Sequence, residues 1–414
     1  DAALKDEKTD RAESALISAL VYTTLERLIT IDYELSLYLK QPIKKLRPEV
    51  LTALRMGCCQ LFFMDRIPVS AAVNESVKAV KNNGCAFAAG LVNAVLRKAS
   101  NNGLVLPDVS FPEYKSVKYS VPMWLMSLWE NAYGKDGAEK IMAASLGKKD
   151  TFIRVNTLKT TPDELIERLS AEGVKAEKCS FPENALRINM SGSIEGLKAY
   201  SDGLFHVQDI SSQVCAGLLG ARAGDTVFDM CSAPGGKAFT IAESMGGEGE
   251  IKAFDIYEKR LGLVSSGAKR LGINIIKPEV NDASVFNESV GKADKILCDV
   301  PCSGLGVIGR KPEIRYKMIE DIDKLPDLQY AILCQSIKYL KMGGIIIYST
   351  CSLNPAENDE VCLRFLKEHP SFKAVKLQAD CETLKSDNGF LTFMPQVNGS
   401  DGFFTAAFKE CETE

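Results

Sequence analysis

Val227-Phe-Asp-Met-Cys-Ser-Ala-Pro-Gly-Gly-Lys237 reads as a buried strand running into a glycine-rich turn. Gly235 and Gly236 allow close backbone approach and dihedrals that other residues avoid. The helix predicted to follow offers free N–H groups at its start. Two familiar readings of such a turn fail. A P-loop needs Gly where Cys231 stands and Ser or Thr where Ala238 stands. The dinucleotide fingerprint G-x-G-x-x-G is absent as well.

Downstream of this turn, strand and helix patterns alternate. Strands are predicted over 226–230, 251–256, 275–280, 295–300 and 345–349, with helices over 238–244, 258–271 and 327–340. This is the βαβ rhythm of an open parallel sheet. Such sheets bind ligands beyond the carboxyl ends of their strands. Asp255 ends the second strand, where a carboxylate can accept bonds from both ribose hydroxyls of an adenosine. Asp282 follows the third strand, within reach of the adenine amine, and Asp299 ends the fourth. Successive carboxylates around a small loop would repel a diphosphate. They suit S-adenosylmethionine.

Two cysteines follow adjacent candidate strands, in Asp299-Val-Pro-Cys302-Ser-Gly and Ser349-Thr-Cys351-Ser-Leu-Asn-Pro. If those strands are neighbours, both thiols face the cofactor crevice. A thiol is nucleophilic once ionised, and a nearby lysine favours ionisation; Lys237 is the candidate. The pair fits methylation at C5 of a pyrimidine. That carbon is a poor nucleophile until a thiolate adds at C6 and makes it an enamine. A base must then take the C5 proton so that the thiolate can leave. These residues alone do not decide which cysteine attacks. A small buried apolar role is assigned to Cys215, Cys298, Cys334 and Cys362.

Upstream, residues 12–100 carry helical apolar spacing, broken by Pro42 and Pro48. Cys58 and Cys59 fill its core. Pro107, Pro112 and Pro122 mark a connector with two short helices, over 121–132 and 137–146, anchored by Trp124 and Trp129. A strand over 151–158 and a helix over 162–169, capped by Thr161, open a small α+β unit. The 414 residues suit several domains. With 46% hydrophobic and 25% charged residues, global disorder is excluded. No apolar run reaches the roughly 18 residues of a membrane span. No signal-peptide pattern opens the chain, and its natural start is expected upstream of Asp1. The 13 cysteines are too sparse for a disulfide scaffold, and with two isolated histidines and no C-x-x-C pair they suit a reduced, intracellular protein without a zinc site. The net charge of −4 does not advertise a nucleic-acid partner. It is uneven, however: residues 1–150 hold 20 basic and 17 acidic groups, and residues 211–414 hold 23 and 28. A local basic groove is compatible with that balance.

The sequence resembles the Sun (Fmu) family of RNA cytosine-5 methyltransferases, in its bacterial RsmB type. The matching stretches are Phe228-Asp-Met-Cys-Ser-Ala-Pro-Gly-Gly-Lys237, Asp299-Val-Pro-Cys-Ser-Gly304, Ser349-Thr-Cys-Ser-Leu-Asn-Pro-Ala-Glu-Asn358 and Asp401-Gly-Phe-Phe-Thr-Ala406. Arg154-Val-Asn-Thr-Leu-Lys159 and Phe205-His-Val-Gln-Asp209 match too. Leu54-Arg-Met-Gly-Cys-Cys-Gln-Leu61, Val73-Asn-Glu-Ser-Val77 and Val92-Asn-Ala-Val-Leu-Arg97 resemble the NusB domain.

The resemblance implies an all-α NusB-like RNA-binding domain over 1–105 and a helical connector over 106–150. It also implies a small α+β, RRM-like unit over 151–215 and an α/β Rossmann-like methyltransferase domain over 216–414. It assigns Cys351 as the C6 nucleophile and Cys302 as the thiol that assists adduct resolution. It assigns Cys231, Ser232, Ala233, Pro234, Gly235, Gly236, Lys237, Asp255, Asp282 and Asp299 to the S-adenosylmethionine site. The expected partner is ribosomal RNA of the small subunit before assembly is complete, met by a cytoplasmic monomer without membrane or metal. Arg97, Arg154 and Lys159 are candidate phosphate contacts. Gln396 departs from the family, where a histidine often follows the proline. Two other readings remain: a transfer-RNA methyltransferase, and a NusB-like binding protein with a vestigial catalytic domain.

Overall fold

The computed structural model describes residues 11–190, 192–379, 383–397 and 399–411. Its chain contacts form two units. The first runs to Leu146 and also takes in the later segment Ile308–Tyr316. The second is the rest of the chain from Gly147. The expected connector over 106–150 thus falls largely in the first unit.

The first unit is helical, with main helices Arg11–Glu26, Leu28–Ser36, Pro48–Phe63, Val69–Asn82, Ala89–Asn102 and Met123–Ala144. The apolar spacing of residues 12–39 predicts one helix, but the structure breaks it at Arg27, whose φ is −104° and ψ 12°. The two helices expected over 121–132 and 137–146 are both present within Met123–Ala144, separated at Gly134, where φ is +71°. Leu35, Leu54, Cys58, Cys59, Val80, Val92 and Leu96 share one core. Gly57 lets the helices close up, since a Cβ there would lie 2.5 Å from Leu96 Cδ1. Among the described residues, no single helix is long and apolar enough to cross a membrane.

Arg315, on the late segment, is fully buried in this helical unit. Its Nη1 donates to the carbonyls of Tyr119 (3.2 Å) and Ser120 (3.0 Å). Its Nη2 donates to the Ser145 carbonyl at 2.7 Å. Tyr316 donates its hydroxyl to the Leu25 carbonyl at 2.8 Å. Burial pulls the Arg315 pKa below its usual value. A guanidinium among carbonyls satisfies groups that helix ends leave open.

The second unit holds two sheets. Strands β1 (Thr151–Val155), β2 (Lys175–Lys178), β3 (Ala185–Asn189) and β4 (Phe205–Val207) form a four-stranded sheet in the order β2-β3-β1-β4. Its pairs are antiparallel. The helix Pro162–Ala171 covers it, opened by Thr161 in a full capping box with Glu164. The larger sheet contains β5 (Thr226–Asp229), β6 (Glu250–Asp255), β7 (Ile276–Val280), β8 (Ala293–Asp299) and β9 (Leu340–Thr350). To these the chain adds β10 (Phe372–Val375), β11 (Leu384–Lys385), β12 (Leu391–Phe393) and β13 (Phe403–Glu410). The order is β7-β6-β5-β8-β9-β13-β12-β11, with β10 also on β13.

Strands β5 to β9 pair in parallel. Their side chains alternate between two cores. Val227, Ile251, Leu297 and Ile347 pack on one face, and Phe228, Phe254, Ile296 and Ile346 on the other. Helices cover both faces, so the central strands are apolar throughout. The strand order reverses between β5 and β8, which opens a crevice at their carboxyl ends.

Candidate active site

Four features meet at that crevice. The first is the turn after β5. Gly235 has φ +107°, and a Cβ there would lie 2.6 Å from Phe239 Cζ, so glycine is required twice over. The helix Gly236–Ser244 starts immediately after it.

The second is a pocket of about 110 Å³ beyond β5, β6 and β7, whose lining includes Cys231, Asp255, Ile256, Asn281, Asp282 and Pro301. Asp255 Oδ1 accepts the Tyr257 N–H at 2.9 Å, and Oδ2 pairs with Arg260 at 3.0 Å. Asp282 accepts from the Ser284 N–H at 2.9 Å and from its hydroxyl at 2.6 Å. Three expected residues, Cys231, Asp255 and Asp282, therefore converge here. Two further ones do not: Pro234 and Gly236 line a separate pocket with Tyr200, His206 and Arg270.

The third is Asp229, which the sequence reading passed over. It is 1% exposed, and neither carboxylate oxygen has a hydrogen-bond partner. Burial pushes its pKa up to about 7, and the neighbouring Ser232 hydroxyl only partly offsets this. Ser232 Oγ and Asn281 Nδ2 are also buried without partners. Such orphaned groups are rare in a finished core. They suit a small zwitterionic ligand with a nucleoside: carboxylate oxygens for its ammonium, an amide for its base or ribose.

The fourth is the thiol pair. β8 and β9 are hydrogen-bonded neighbours in register, Asp299 opposite Ser349. Cys302 and Cys351 consequently meet, with their sulfurs 3.1 Å apart and no disulfide between them. Lys237 and Asp299, expected to line the cofactor site, act electrostatically both on Asp229 and on the thiols. Lys237 Nζ lies 2.7 Å from Asp299 Oδ2 and 5.0 Å from the Phe403 ring centre. The Ser349 hydroxyl holds the other Asp299 oxygen at 2.9 Å. Burial alone would lower the Lys237 pKa, but Asp299, with Cys215 and Cys351 adding to it, raises it. Asp299 therefore holds the Lys237 ammonium charged, with Cys215 and Cys351 among its electrostatic neighbours. The contact with Cys351, burial and the charge of Glu357 all raise the Cys302 pKa.

Three expected phosphate contacts fare differently. Arg154 is buried and pairs with Glu243 at 2.9 Å. Lys159 donates to the Asp202 and Arg270 carbonyls at 2.9 and 3.1 Å. Both are structural, because each is spent on an internal acceptor. Arg97 is exposed and bonds only to Asn93, at 3.0 Å. Gln396 is exposed. His206 is buried beside Gln208 and Thr240, and burial lowers its pKa to about 3.

Comparison with known proteins follows the same divisions. Residues 216–409 match the model of the 16S rRNA methyltransferase RsmB/F family, residues 1–101 the NusB family, and residues 121–195 the ferredoxin-like domain of RsmF/B-like methyltransferases. The chain is 35% identical to a probable ribosomal RNA small subunit methyltransferase B of Bacillus subtilis, covering 98% of the chain and 93% of the relative. It is 34% identical to a probable enzyme of the same name from Synechocystis, covering 99% and 94%. The crystal structure of PH0851 superposes with a TM-score of 0.84 at 27% identity, covering 98% of this chain and 92% of that one.

Proposed function

The chain belongs to the 16S rRNA methyltransferase RsmB/F family, whose S-adenosylmethionine-dependent reaction at cytosine C5 is its activity, and we propose that its substrate is small-subunit ribosomal RNA and its nucleophile Cys351. The observation that carries the second part is the thiol pair, two sulfurs 3.1 Å apart with a buried lysine beside one of them. Bound S-adenosylmethionine supplies an electrophilic methyl group. Asp229, Asp255, Asn281 and Asp282 would hold it, on the orphaned or ribose-facing atoms described above.

Lys237 favours the thiolate of Cys351 electrostatically. That thiolate adds to C6 of the cytosine, forming a C–S bond and placing electron density on C5. Cys302 stands next to the same carbon pair. After methylation a base takes the C5 proton, the C5–H electrons form the C5–C6 double bond, the C–S bond breaks and Cys351 departs with the bonding electrons, with Cys302, 3.1 Å from it, assisting this release. The target nucleotide must leave its stack to reach this crevice, which is least costly in a loop. The helical unit and the four-stranded sheet provide further RNA-binding surface, and the protein acts as a cytoplasmic monomer on RNA not yet fully assembled.

Base-resolution mapping of 5-methylcytosine in total RNA, with and without the gene, tests the substrate. The expected result is a lost mark in small-subunit ribosomal RNA. A mark lost only from transfer RNA would replace this reading with the transfer-RNA one.

A further inference from the structure

Behind the two thiols lies a carboxylate that the reaction above does not use. Glu357 is fully buried, six residues after Cys351 and on the short helical turn Pro355–Glu357. It has no ion-pair partner among the described residues. Its Oε1 accepts the Ser303 N–H at 2.7 Å and the Gln329 amide at 3.0 Å. Its Oε2 accepts the Ser303 and Ser352 hydroxyls, the latter at 2.6 Å. Ser303 directly follows Cys302, and Ser352 directly follows Cys351. The two hydroxyls are 2.8 Å apart. Four hydrogen-bonding partners therefore converge on its two oxygens, two from the loop of Cys302, one from the loop of Cys351 and one from Gln329.

We propose that Glu357 is a positioning residue for the methyl transfer: its buried carboxylate ties the loop of Cys302 to the loop of Cys351 and makes Cys302 the S–H donor in the contact between the sulfurs. The inference rests on reading these two thiols as the reacting pair. The charges around them are lopsided in the required sense. Cys351 is among the groups that keep Lys237 charged, while the charges of Glu357 and Asp299 disfavour the Cys302 thiolate. Lys317, the nearby lysine, spends its ammonium on the Ser303 carbonyl at 2.7 Å. A proton shared between the sulfurs therefore belongs on Cys302.

Glu357→Gln separates charge from shape. A glutamine carbonyl can keep the Ser303 N–H and Gln329 bonds, and its amide can donate to the two hydroxyls. The test is pulse alkylation with iodoacetamide across a pH series, without RNA or cofactor, with each cysteine read by peptide mass spectrometry. In the native protein Cys351 should react roughly fivefold or more faster than Cys302 near neutral pH. In Glu357→Gln the Cys302 profile should move to lower pH and its neutral rate should rise about fivefold or more. For RNA methylation, kcat should fall about tenfold at unchanged KM. Faster reaction at Cys302 than at Cys351 in the native protein overturns the proposal, and this result needs no variant to fold. An unshifted Cys302 profile in a folded Glu357→Gln protein overturns it too. The expected alkylation pattern in a protein that leaves small-subunit RNA unmethylated would refute the substrate assignment and leave Glu357 in place.

Discussion

Asp229 ends β5 with its pKa raised to about 7, so near neutrality it is divided between two forms. Only the ionised form accepts from an ammonium. Cofactor binding should therefore expel a proton below pH 7, and affinity should weaken there by up to about tenfold per pH unit. Calorimetry in buffers of different ionisation heat checks this; equal affinity on both sides of neutrality with no buffer dependence would sink it. Asp229→Asn should flatten the profile and weaken binding roughly 10–100-fold. The same shift has a cost in the free protein. The unfolded chain gives up this proton near 3.8 and the folded one near 7, so stability falls as the pH rises between them. The cysteines are separable in the same way. Cys351→Ala should bind RNA and cofactor but form no adduct. Cys302→Ala should add to cytosine and then stall, leaving a protein–RNA adduct that survives denaturation. Mass spectrometry should place the RNA remnant on Cys351; finding it on Cys302 in the Cys351→Ala protein would reverse the two roles.

Elements declared themselves in the sequence to the degree that their burial is uniform. Strands β5, β8 and β9 carry apolar runs at Val227–Phe228, Ile296–Cys298 and Ile345–Ile347 because helices cover both faces, and the ends of β5 to β8 lie within a few residues of expectation. The one long extension is β9, which begins at Leu340 rather than 345 because Leu340 pairs with Ala293 across an irregularity that precedes Ile345. The added antiparallel strands β10 to β13 were not legible. They are short or amphipathic, and β13 owes its place to β9 rather than to its own pattern. Lys237 was legible as a neighbour of the thiols but not as a partner of Asp299, a contact between residues 62 apart in sequence. Asp229 and Glu357 were invisible as functional groups, since a carboxylate at a strand end or in a turn is ordinarily solvated and only tertiary burial changes that. One contact between elements invites a direct test. Gly306 donates its N–H to the Cys351 carbonyl at 3.0 Å, and a Cβ on it would lie 2.0 Å from the Gly402 carbonyl. Gly306→Ala must therefore push the Cys302 loop away from the start of β13. A cost of about 1–3 kcal/mol is expected. Methylation should fall about tenfold with cofactor affinity held within about twofold, because the nucleoside pocket lies elsewhere. Unchanged kcat would show that the loop tolerates the shift.

At the scale of the whole molecule, the helical unit is not a contiguous stretch of chain, because Ile308–Tyr316 returns to it from the middle of the methyltransferase unit. Arg315→Ala would leave several buried carbonyls without donors. A loss of about 2–4 kcal/mol in urea unfolding is expected. An unmoved midpoint would show that the cradle carries little of the fold. Deleting everything before Gly147 should likewise strand Ile308, Ile314 and Arg315, which are now buried. Hydrogen exchange should then show 308–316 unprotected, with the damage centred there rather than at the glycine-rich turn. The chain passes between the units three times, after Leu146, after Val307 and after Tyr316. A single proteolytic cut after Leu146 leaves Ile308–Tyr316, a part of the helical unit, on the other fragment. The same threading bears on inheritance: a crossover between genes at the first seam would bring in a foreign helical partner for a segment encoded far downstream. The two halves must therefore be exchanged together or co-adapt, and the junction at Leu146 is a poor place to cut when building chimeras.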